Sequence, residues 1–183
     1  MARTNKSVYL VLGLLAGGEK SGYDIKRDVE EVIGHFWKES YGQIYPVLSE
    51  LARKGFIRRA RSTGGGRRNV FSITARGREE LERWLAEPAE PESVRNEMLL
   101  KVFFGHSVAP SVIVSHIEAF RARNEDFLAT LRRGASELDD EELTAEARRA
   151  VELSLRLGEL IAEARLQWAG EALRTLSRRR RPS

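Results

Sequence analysis

Hydrophobic residues recur at helical spacing along most of this chain, and only one short region changes to strand-like alternation. From residue 7 to about residue 16 almost every position is apolar, which predicts a helix too hydrophobic to lie on a surface. A second apolar series runs from residue 25 to residue 36, behind a Ser21–Asp24 pair that has the spacing of an N-terminal capping box. The chain therefore begins with two predicted helices, the first buried and the second amphipathic.

A third helix is predicted over residues 40–55, where apolar residues recur at i, i+3, i+4 and i+7. These positions are Ile44, Val47, Leu48 and Leu51. Ser40 and Gln43 have capping-box spacing at its start, and Gly55 suits the left-handed residue that ends many helices. Pro46 costs on the order of 3 kcal/mol deep in a helix, so the regular turns are expected to begin either at Ser40 or nearer Gln43.

Two short strand-like runs, residues 56–61 and 69–74, flank the turn Ser-Thr-Gly-Gly-Gly-Arg-Arg. Phe71 and Ile73 alternate with polar residues, as in a half-buried hairpin strand. Between Arg53 and Arg78 the chain carries nine Lys and Arg and no Asp or Glu. A short helix followed by a basic, glycine-tipped hairpin has the outline of a winged helix-turn-helix.

A further helix is predicted from residue 75 to residue 87, capped by Thr74. Its inward-facing residues are expected to be Leu81, Trp84 and Leu85. Two prolines then fall within four residues and stop any helix, so residues 87–92 form the predicted domain boundary.

Beyond this boundary the pattern is helical throughout. Helices are predicted over residues 98–104, 109–133 and 140–177, with a polar break at residues 134–140. We therefore expect a mainly α fold, in which residues 1–88 form a winged helix-turn-helix with a two-stranded β wing and residues 92–183 form a helical dimerisation domain.

The last predicted helix is apolar on two sides. One series of residues advances by alternating four- and three-residue steps, which is typical of a coiled-coil-like seam: Leu143, Ala147, Ala150, Ser154, Leu157, Ile161, Ala164 and Trp168. A second stripe needs another surface to cover it: Val151, Leu153, Leu160, Leu173 and Leu176. A helix of this kind in so small a domain indicates a partner chain, so the seam is predicted to form the interface of a homodimer.

Charge is unevenly distributed. The 183 residues are 42% hydrophobic and 32% charged, with a formal net charge of +4. Residues 1–85 carry 16 Lys and Arg against 10 Asp and Glu, whereas residues 86–183 carry 15 against 17. The positive field therefore lies mainly on the N-terminal half, as in a module that binds a polyanion.

The residues of catalytic chemistry are scarce. There is no cysteine, and His35, His106 and His116 are isolated from carboxylates at metal-ligand spacing. We therefore expect no enzyme, no cofactor and no metal site. No apolar run approaches the ~20 residues that cross a bilayer, so we expect a cytoplasmic protein without a membrane partner.

Candidate DNA contacts cluster at the third helix and at the glycine turn. Glutamine can bond bidentately to adenine in the major groove, whereas hydroxyl groups bind mainly phosphates. The candidates at the helix are Lys38, Ser40, Tyr41, Gln43, Tyr45, Ser49 and Arg53. Arg67 and Arg68 at the turn can reach phosphate or the minor groove. The alternatives are that Tyr41 and Tyr45 pack on the hairpin, and that the turn is an ordinary solvated loop.

Three blocks, SYGQIYPVLSELARKGFI, FSITARGREELERWL and RNEMLLKVFFG, resemble the PadR-like transcriptional regulators. The resemblance covers roughly residues 8–105, and beyond them it is a general likeness to the subgroup with a long helical C-terminal domain. It implies a homodimeric repressor that binds double-stranded DNA at a palindromic operator.

The same resemblance implies a small aromatic effector, because some relatives are thought to bind phenolic or drug-like compounds between their C-terminal helices. Trp168 is then a candidate effector contact as well as a candidate residue of the dimer core. A competing hypothesis is a helical and winged-helix protein-interaction module without specific DNA binding. The acid-free run between Arg53 and Arg78 argues against that module.

Overall fold

The computed structural model describes residues 5–34, 36–37, 41–60, 69–91, 95–137 and 143–178. The chain divides into two compact units, Met1–Pro91 and Glu92–Ser183. No helix in the described ranges is both long and apolar enough to cross a membrane.

Among its described residues, the first unit combines four α-helices with a small antiparallel sheet. Its helices are α1 (Ser7–Ala16), α2 (Gly22–Asp28), α3 (Tyr41–Arg53) and α4 (Ala75–Leu85). The π-helical turn Val29–Ile33 continues α2. The strands are β1 (Lys20–Ser21), β2 (Ile57–Ala60) and β3 (Val70–Ile73), in the order β1-β3-β2.

The apolar stripe of each helix meets a common core. α1 is the centre, because it packs on α3, α4 and β3 and buries residues on several sides. The stripe of α3 predicted from its spacing is buried in this core: Ile44, Val47, Leu48 and Leu51. Pro46 is tolerated inside α3 because it lies on the exposed side, early in the helix, where the hydrogen bond that it removes would have been to Gly42.

Local hydrogen bonds fix the ends of these helices. Ser21 and Asp24 form the capping box expected from their spacing. Thr74 caps α4 by accepting from the Gly77 amide at 3.1 Å, and its hydroxyl donates to the Gly55 carbonyl at 2.8 Å. Gly55 has a φ of +73°, the left-handed conformation that favours glycine. The end of α3 and the start of α4 are thus joined through one threonine.

The sheet differs from the predicted two-stranded wing. A third strand, β1, pairs with β3 through Lys20 opposite Phe71 and Ser21 opposite Val70. Two residues are too few to produce a periodic signal, so this strand was not predicted. The expected alternation in β3 is incomplete, since Ser72 is buried and accepts a hydrogen bond from the Arg58 side chain at 3.2 Å.

The inward face of α4 also differs from the prediction. Leu81 is buried, and the Trp84 ring stacks on Tyr9 at 4.4 Å and 4°. Leu85 was expected to face inward, but it is 65% exposed. It is the last residue of the helix, and Trp84 takes the contact with α1 beside it.

The second unit is built from three α-helices and one short 3₁₀ turn among the described residues. They are α5 (Glu97–Phe103), the 3₁₀ turn Gly105–Ser107, α6 (Pro110–Glu137) and α7 (Ala145–Arg178). The helix α6 runs through Gly134, where a polar break was predicted. A single glycine costs a helix only about 1 kcal/mol, and α6 is held nearby by Leu131, which packs against Leu155 of α7.

The long helices α6 and α7 pack on each other through two apolar clusters. One contains Ile113, Ile117 and Ala169, with Phe120, Trp168, Leu173 and Leu176 packed against it. The other contains Leu131 and Leu155, with Phe127, Leu143 and Val151. The second stripe predicted on the last helix is therefore divided. Val151, Leu173 and Leu176 are partly buried in these clusters, whereas Leu153 and Leu160 stay exposed.

Candidate nucleic-acid interface

The helix α3 separates a buried apolar face from an exposed polar one. Gln43, Tyr45, Ser49 and Arg53 all lie outside the buried stripe and are exposed. These are the four predicted DNA-contact residues whose side chains the structure describes. Lys38, Ser40, Arg67 and Arg68 lie outside the described residues, and of Tyr41 only the backbone, at the start of α3, is described.

Tyr45 is seated on the first turn of α2. A Cβ built on Gly22 would lie 2.9 Å from Cε1 and 3.3 Å from the hydroxyl oxygen of Tyr45. Only glycine at this position leaves room for the ring, which nevertheless remains 63% exposed. The ring therefore packs against α2, in addition to facing solvent on the outer side of α3.

A crevice of about 370 Å³ opens between α2, α3 and the hairpin. The polar residues that line it are Ser21, Tyr23, Ser49, Arg59 and Asn69. Leu48, Phe71 and the Tyr45 side chain also line it. Residues of α2, α3 and the hairpin thus line one crevice beside the exposed face of α3.

The cations near α3 fall into two groups. Lys54 pairs with Glu50 at 2.6 Å, and Arg76 donates to the Lys54 carbonyl at 3.1 Å while lying over the Phe56 ring. By contrast, within the described ranges neither Arg53 nor Arg59 has a carboxylate partner. These two guanidinium groups are exposed and remain available to an anionic ligand.

Sequence reasoning missed Arg59, Asn69 and Tyr23. The signal for Arg59 was present in the acid-free run, but one feature of the fold was needed to select it. In the β2–β3 register Arg58 lies opposite Ser72 and bonds to it, while Arg59 lies opposite Phe71. Neighbouring residues of a strand point to opposite faces, so only one of the two arginines reaches the crevice.

The shifted pKa values of the first unit belong to residues away from this crevice, in the contact between α1 and α4. Arg83 donates hydrogen bonds to Glu80 and lowers the pKa of that carboxyl, and the Tyr9 hydroxyl also donates to Glu80 at 3.1 Å. Burial, followed by this bond to Glu80, raises the pKa of Tyr9. No group of three or more His, Asp or Glu residues suited to a metal ion is found in the part of the chain that the structure describes.

The predicted seam of α7 is exposed over its middle. Ala147, Ala150, Ser154 and Ala164 are exposed, as are Leu157 at 59% and Ile161 at 40%. The two ends of the seam pack within the chain. Leu143 joins the cluster around Leu131, and the Trp168 ring meets Phe120 edge-on at 5.6 Å.

Comparisons with known proteins match both units. Residues 11–83 match the Transcriptional regulator PadR-like family, and residues 94–177 match the family Virulence activator alpha C-term. The Negative transcriptional regulator PadR of Bacillus subtilis is 39% identical over 99 residues, 52% of this chain and 54% of that protein. The alignment thus spans about half of that curated relative.

Solved structures match over nearly the whole chain. The PadR-like transcriptional regulator BC1756 from Bacillus cereus gives a TM-score of 0.83 at 30% identity, covering 95% of this chain and 99% of that one. Bacillus subtilis PadR in complex with operator DNA gives a TM-score of 0.82 at 27% identity, covering 94% of this chain and 99% of that one. The same protein in complex with p-coumaric acid gives a TM-score of 0.76 at 28% identity, covering 92% of this chain and 97% of that one. The Vibrio cholerae virulence activator AphA gives 0.75 at 25%, covering 93% and 97%.

These matches agree with the winged helix-turn-helix and the long C-terminal helices described above. The matched family consists of transcriptional regulators and not of enzymes. The chain belongs to the PadR-like family of transcriptional regulators.

Proposed function

We propose that this protein represses transcription by binding a palindromic operator as a homodimer. The observation that carries the proposal is the outer face of α3, where Gln43, Tyr45, Ser49 and Arg53 are exposed together beside a hairpin without acidic residues. In helix-turn-helix proteins the second helix enters the major groove, and residues near its N-terminus contact base edges. Gln43 is then the reader of bases, and the hydroxyl groups and arginines bind mainly the backbone.

The choice between repression and activation is inferred from the relatives. Bacillus subtilis PadR is named a negative regulator, whereas AphA is named a virulence activator. We infer repression because PadR is the more similar of the two, with 27% identity and a TM-score of 0.82 in its operator complex, against 25% and 0.75 for AphA. A reporter gene placed behind the bound sequence should be expressed less when the protein is present; increased expression would contradict the repressor proposal.

The dimer proposal is supported by apolar residues on α7. Four large side chains share an exposed face of this helix: Leu153 at 67%, Leu157 at 59%, Leu160 at 47% and Ile161 at 40%. Full burial of one such side chain is worth about 1.5–3 kcal/mol. A second copy of the same helix would cover the stripe, and a two-fold axis would place two α3 helices on the two halves of a palindrome.

Selection from random duplexes tests the function directly. We expect the bound sequences to share two inverted half-sites, with centres about 10–10.5 base pairs apart or a multiple of that distance. The logarithm of the binding constant should also fall linearly with the logarithm of the salt concentration. Failure to enrich any sequence, together with binding that does not depend on salt, would favour the protein-interaction module instead.

A planar aromatic acid is the proposed effector class. Bacillus subtilis PadR was solved with p-coumaric acid, and in this chain Trp168 and Phe120 present two aromatic rings in contact. We expect p-coumaric acid to release the selected duplex and to quench the fluorescence of Trp168, with Trp168→Phe as the control for the signal. A duplex that stays bound at saturating ligand would exclude this compound as the effector.

A further inference from the structure

The crevice between α2, α3 and the hairpin is lined for an anion. Its polar groups are a guanidinium, hydroxyl groups and an amide, from Arg59, Tyr23, Ser49 and Asn69. No carboxylate is among the described residues that line it. A phosphodiester offers acceptor oxygens to such donors, and a planar guanidinium matches its geometry.

Arg59 supplies the charge of this crevice. Its side chain is exposed, and among the described residues it has no ion pair to compete with a ligand. The neighbouring Arg58 donates a hydrogen bond to Ser72 on the other face of the sheet. One strand thus carries one arginine directed to the crevice and one arginine that holds the sheet.

Gly22 determines the position of the Tyr45 side chain that lines the crevice. The atoms that a Cβ at Gly22 would meet are Cε1, Cζ and the hydroxyl oxygen of Tyr45, at 2.9, 3.2 and 3.3 Å. These atoms form the far end of a side chain that is mostly exposed, so an added methyl group would displace the ring without disturbing the core. Gly22 therefore sets where the phenol stands relative to Arg59.

We propose that this crevice binds a phosphate of the operator backbone beside the base-reading face of α3, with Arg59 as its cationic ligand and Gly22 as the positioning residue for Tyr45. The inference rests on the proposed DNA-binding function and adds a site at the stem of the hairpin to the predicted contacts of Arg67 and Arg68. A phosphate held here fixes how deeply α3 enters the major groove, because a backbone contact positions the protein without reading sequence.

The role of the Arg59 charge is tested by comparing the binding of Arg59→Gln and Arg58→Gln to the duplex selected by the wild-type protein. Both variants lose one positive charge from the same strand, so their long-range fields change equally. Arg59→Gln should weaken binding roughly 10-fold and reduce the log–log salt slope by about one unit. Arg58→Gln should keep the slope. An unchanged slope for Arg59→Gln, or an equal fall for both variants, overturns the proposed site.

The positioning of Tyr45 by Gly22 is tested by a double-mutant cycle between Gly22→Ala and Tyr45→Ala. The unfolding temperature of each variant is measured alongside. Gly22→Ala should weaken binding in the wild-type background and change nothing further in the Tyr45→Ala background. The same loss in both backgrounds would show that Gly22 does not act through Tyr45. If the wild-type protein selects no duplex, the proposed function itself fails; if it binds and the variants behave alike, only this site fails.

Discussion

At the residue scale, Gly77 has the least room for a side chain among the glycines that the structure describes. A Cβ there would lie 2.1 Å from the Phe56 carbonyl oxygen and 2.9 Å from the Ile73 side chain. Because the nearest atom belongs to the backbone, it cannot move aside cheaply. The first turn of α4 is thereby pressed against the chain between α3 and β2.

We predict that Gly77→Ala destabilises the first unit by about 2–4 kcal/mol, in the range of severe overpacking. Gly13→Ala is the matched control, because a Cβ there meets nothing within 4 Å. In the middle of α1 it should stabilise by about 0.5–1 kcal/mol. Urea unfolding of both variants measures the difference, and equal stability of the two would contradict the packing argument.

Gln43 gives the corresponding functional prediction at the residue scale. Gln43→Ala should reduce the preference for the selected duplex over random DNA by roughly 1–3 kcal/mol, the worth of a bidentate base contact. Ser49→Ala is the comparison, since a lost phosphate contact weakens both duplexes alike. Titration of each variant with each duplex measures the preference; an equal loss on both duplexes for Gln43→Ala would show that it does not read bases.

At the element scale, α1 and α4 are joined by a stack and a hydrogen-bonded carboxylate. Tyr9 stacks on Trp84 and donates to Glu80, which also accepts from Arg83 at 2.6 Å. The hydrogen bond from Arg83 is the main cause of the lowered pKa of Glu80, whose ordinary value is 4.5. A lowered pKa in the folded state means that ionised Glu80 stabilises the fold above pH 4.5, and that this contribution is lost as the pH falls through the folded pKa.

We therefore predict that Glu80→Gln makes the stability of the first unit less dependent on pH below 4.5. Above that pH the variant should be less stable than the wild type, and the two curves should converge in acid. Glu82→Gln, on the same helix and without an ion pair among the described residues, should follow the wild-type curve. Urea unfolding between pH 3 and pH 7 tests this, and parallel curves for Glu80→Gln and the wild type would refute it.

Elements were predictable where a few neighbouring residues determine them. The Ser21–Asp24 box, the Thr74 cap and the stripe of α3 depend on spacing within one helix, so the sequence alone was sufficient. The strand β1 could not be predicted, because its two residues are a strand only through their pairing with β3, which is about 50 residues away in the sequence. The polar break predicted at Gly134 was wrong, because the weak tendency of one glycine to end a helix is overridden by the packing of Leu131 against α7. The crevice also depends on strand register, which is why Arg59 was overlooked.

At the scale of the whole molecule, a single chain leaves several large apolar side chains of α7 exposed to solvent. We predict that Leu157→Glu combined with Ile161→Glu gives a monomer and weakens operator binding sharply. Both residues are exposed in the single chain, so the variant should stay folded, with a carboxylate in place of each interface contact. Light scattering measures the mass, and circular dichroism checks the fold.

The control is Leu85→Glu, an identical substitution at an exposed leucine of the first unit, which should leave the dimer intact. A wild-type protein that is monomeric at micromolar concentration would refute the dimer proposal. If the double variant remains dimeric, the interface lies on another surface. The exposed residues of and beside α5 are then the next candidates: Leu99, Leu100, Phe103 and Phe104.

Two of the crowded glycines, Gly22 and Gly77, should show different patterns of substitution among related sequences. The neighbour of Gly22 is a side chain, Tyr45, so a lineage could accept a larger residue at the first position by shrinking the second. Positions 22 and 45 should therefore covary among family members that keep this turn. The nearest neighbour of Gly77 is a backbone carbonyl group, which a substitution elsewhere cannot make smaller, so Gly77 should stay glycine among those family members.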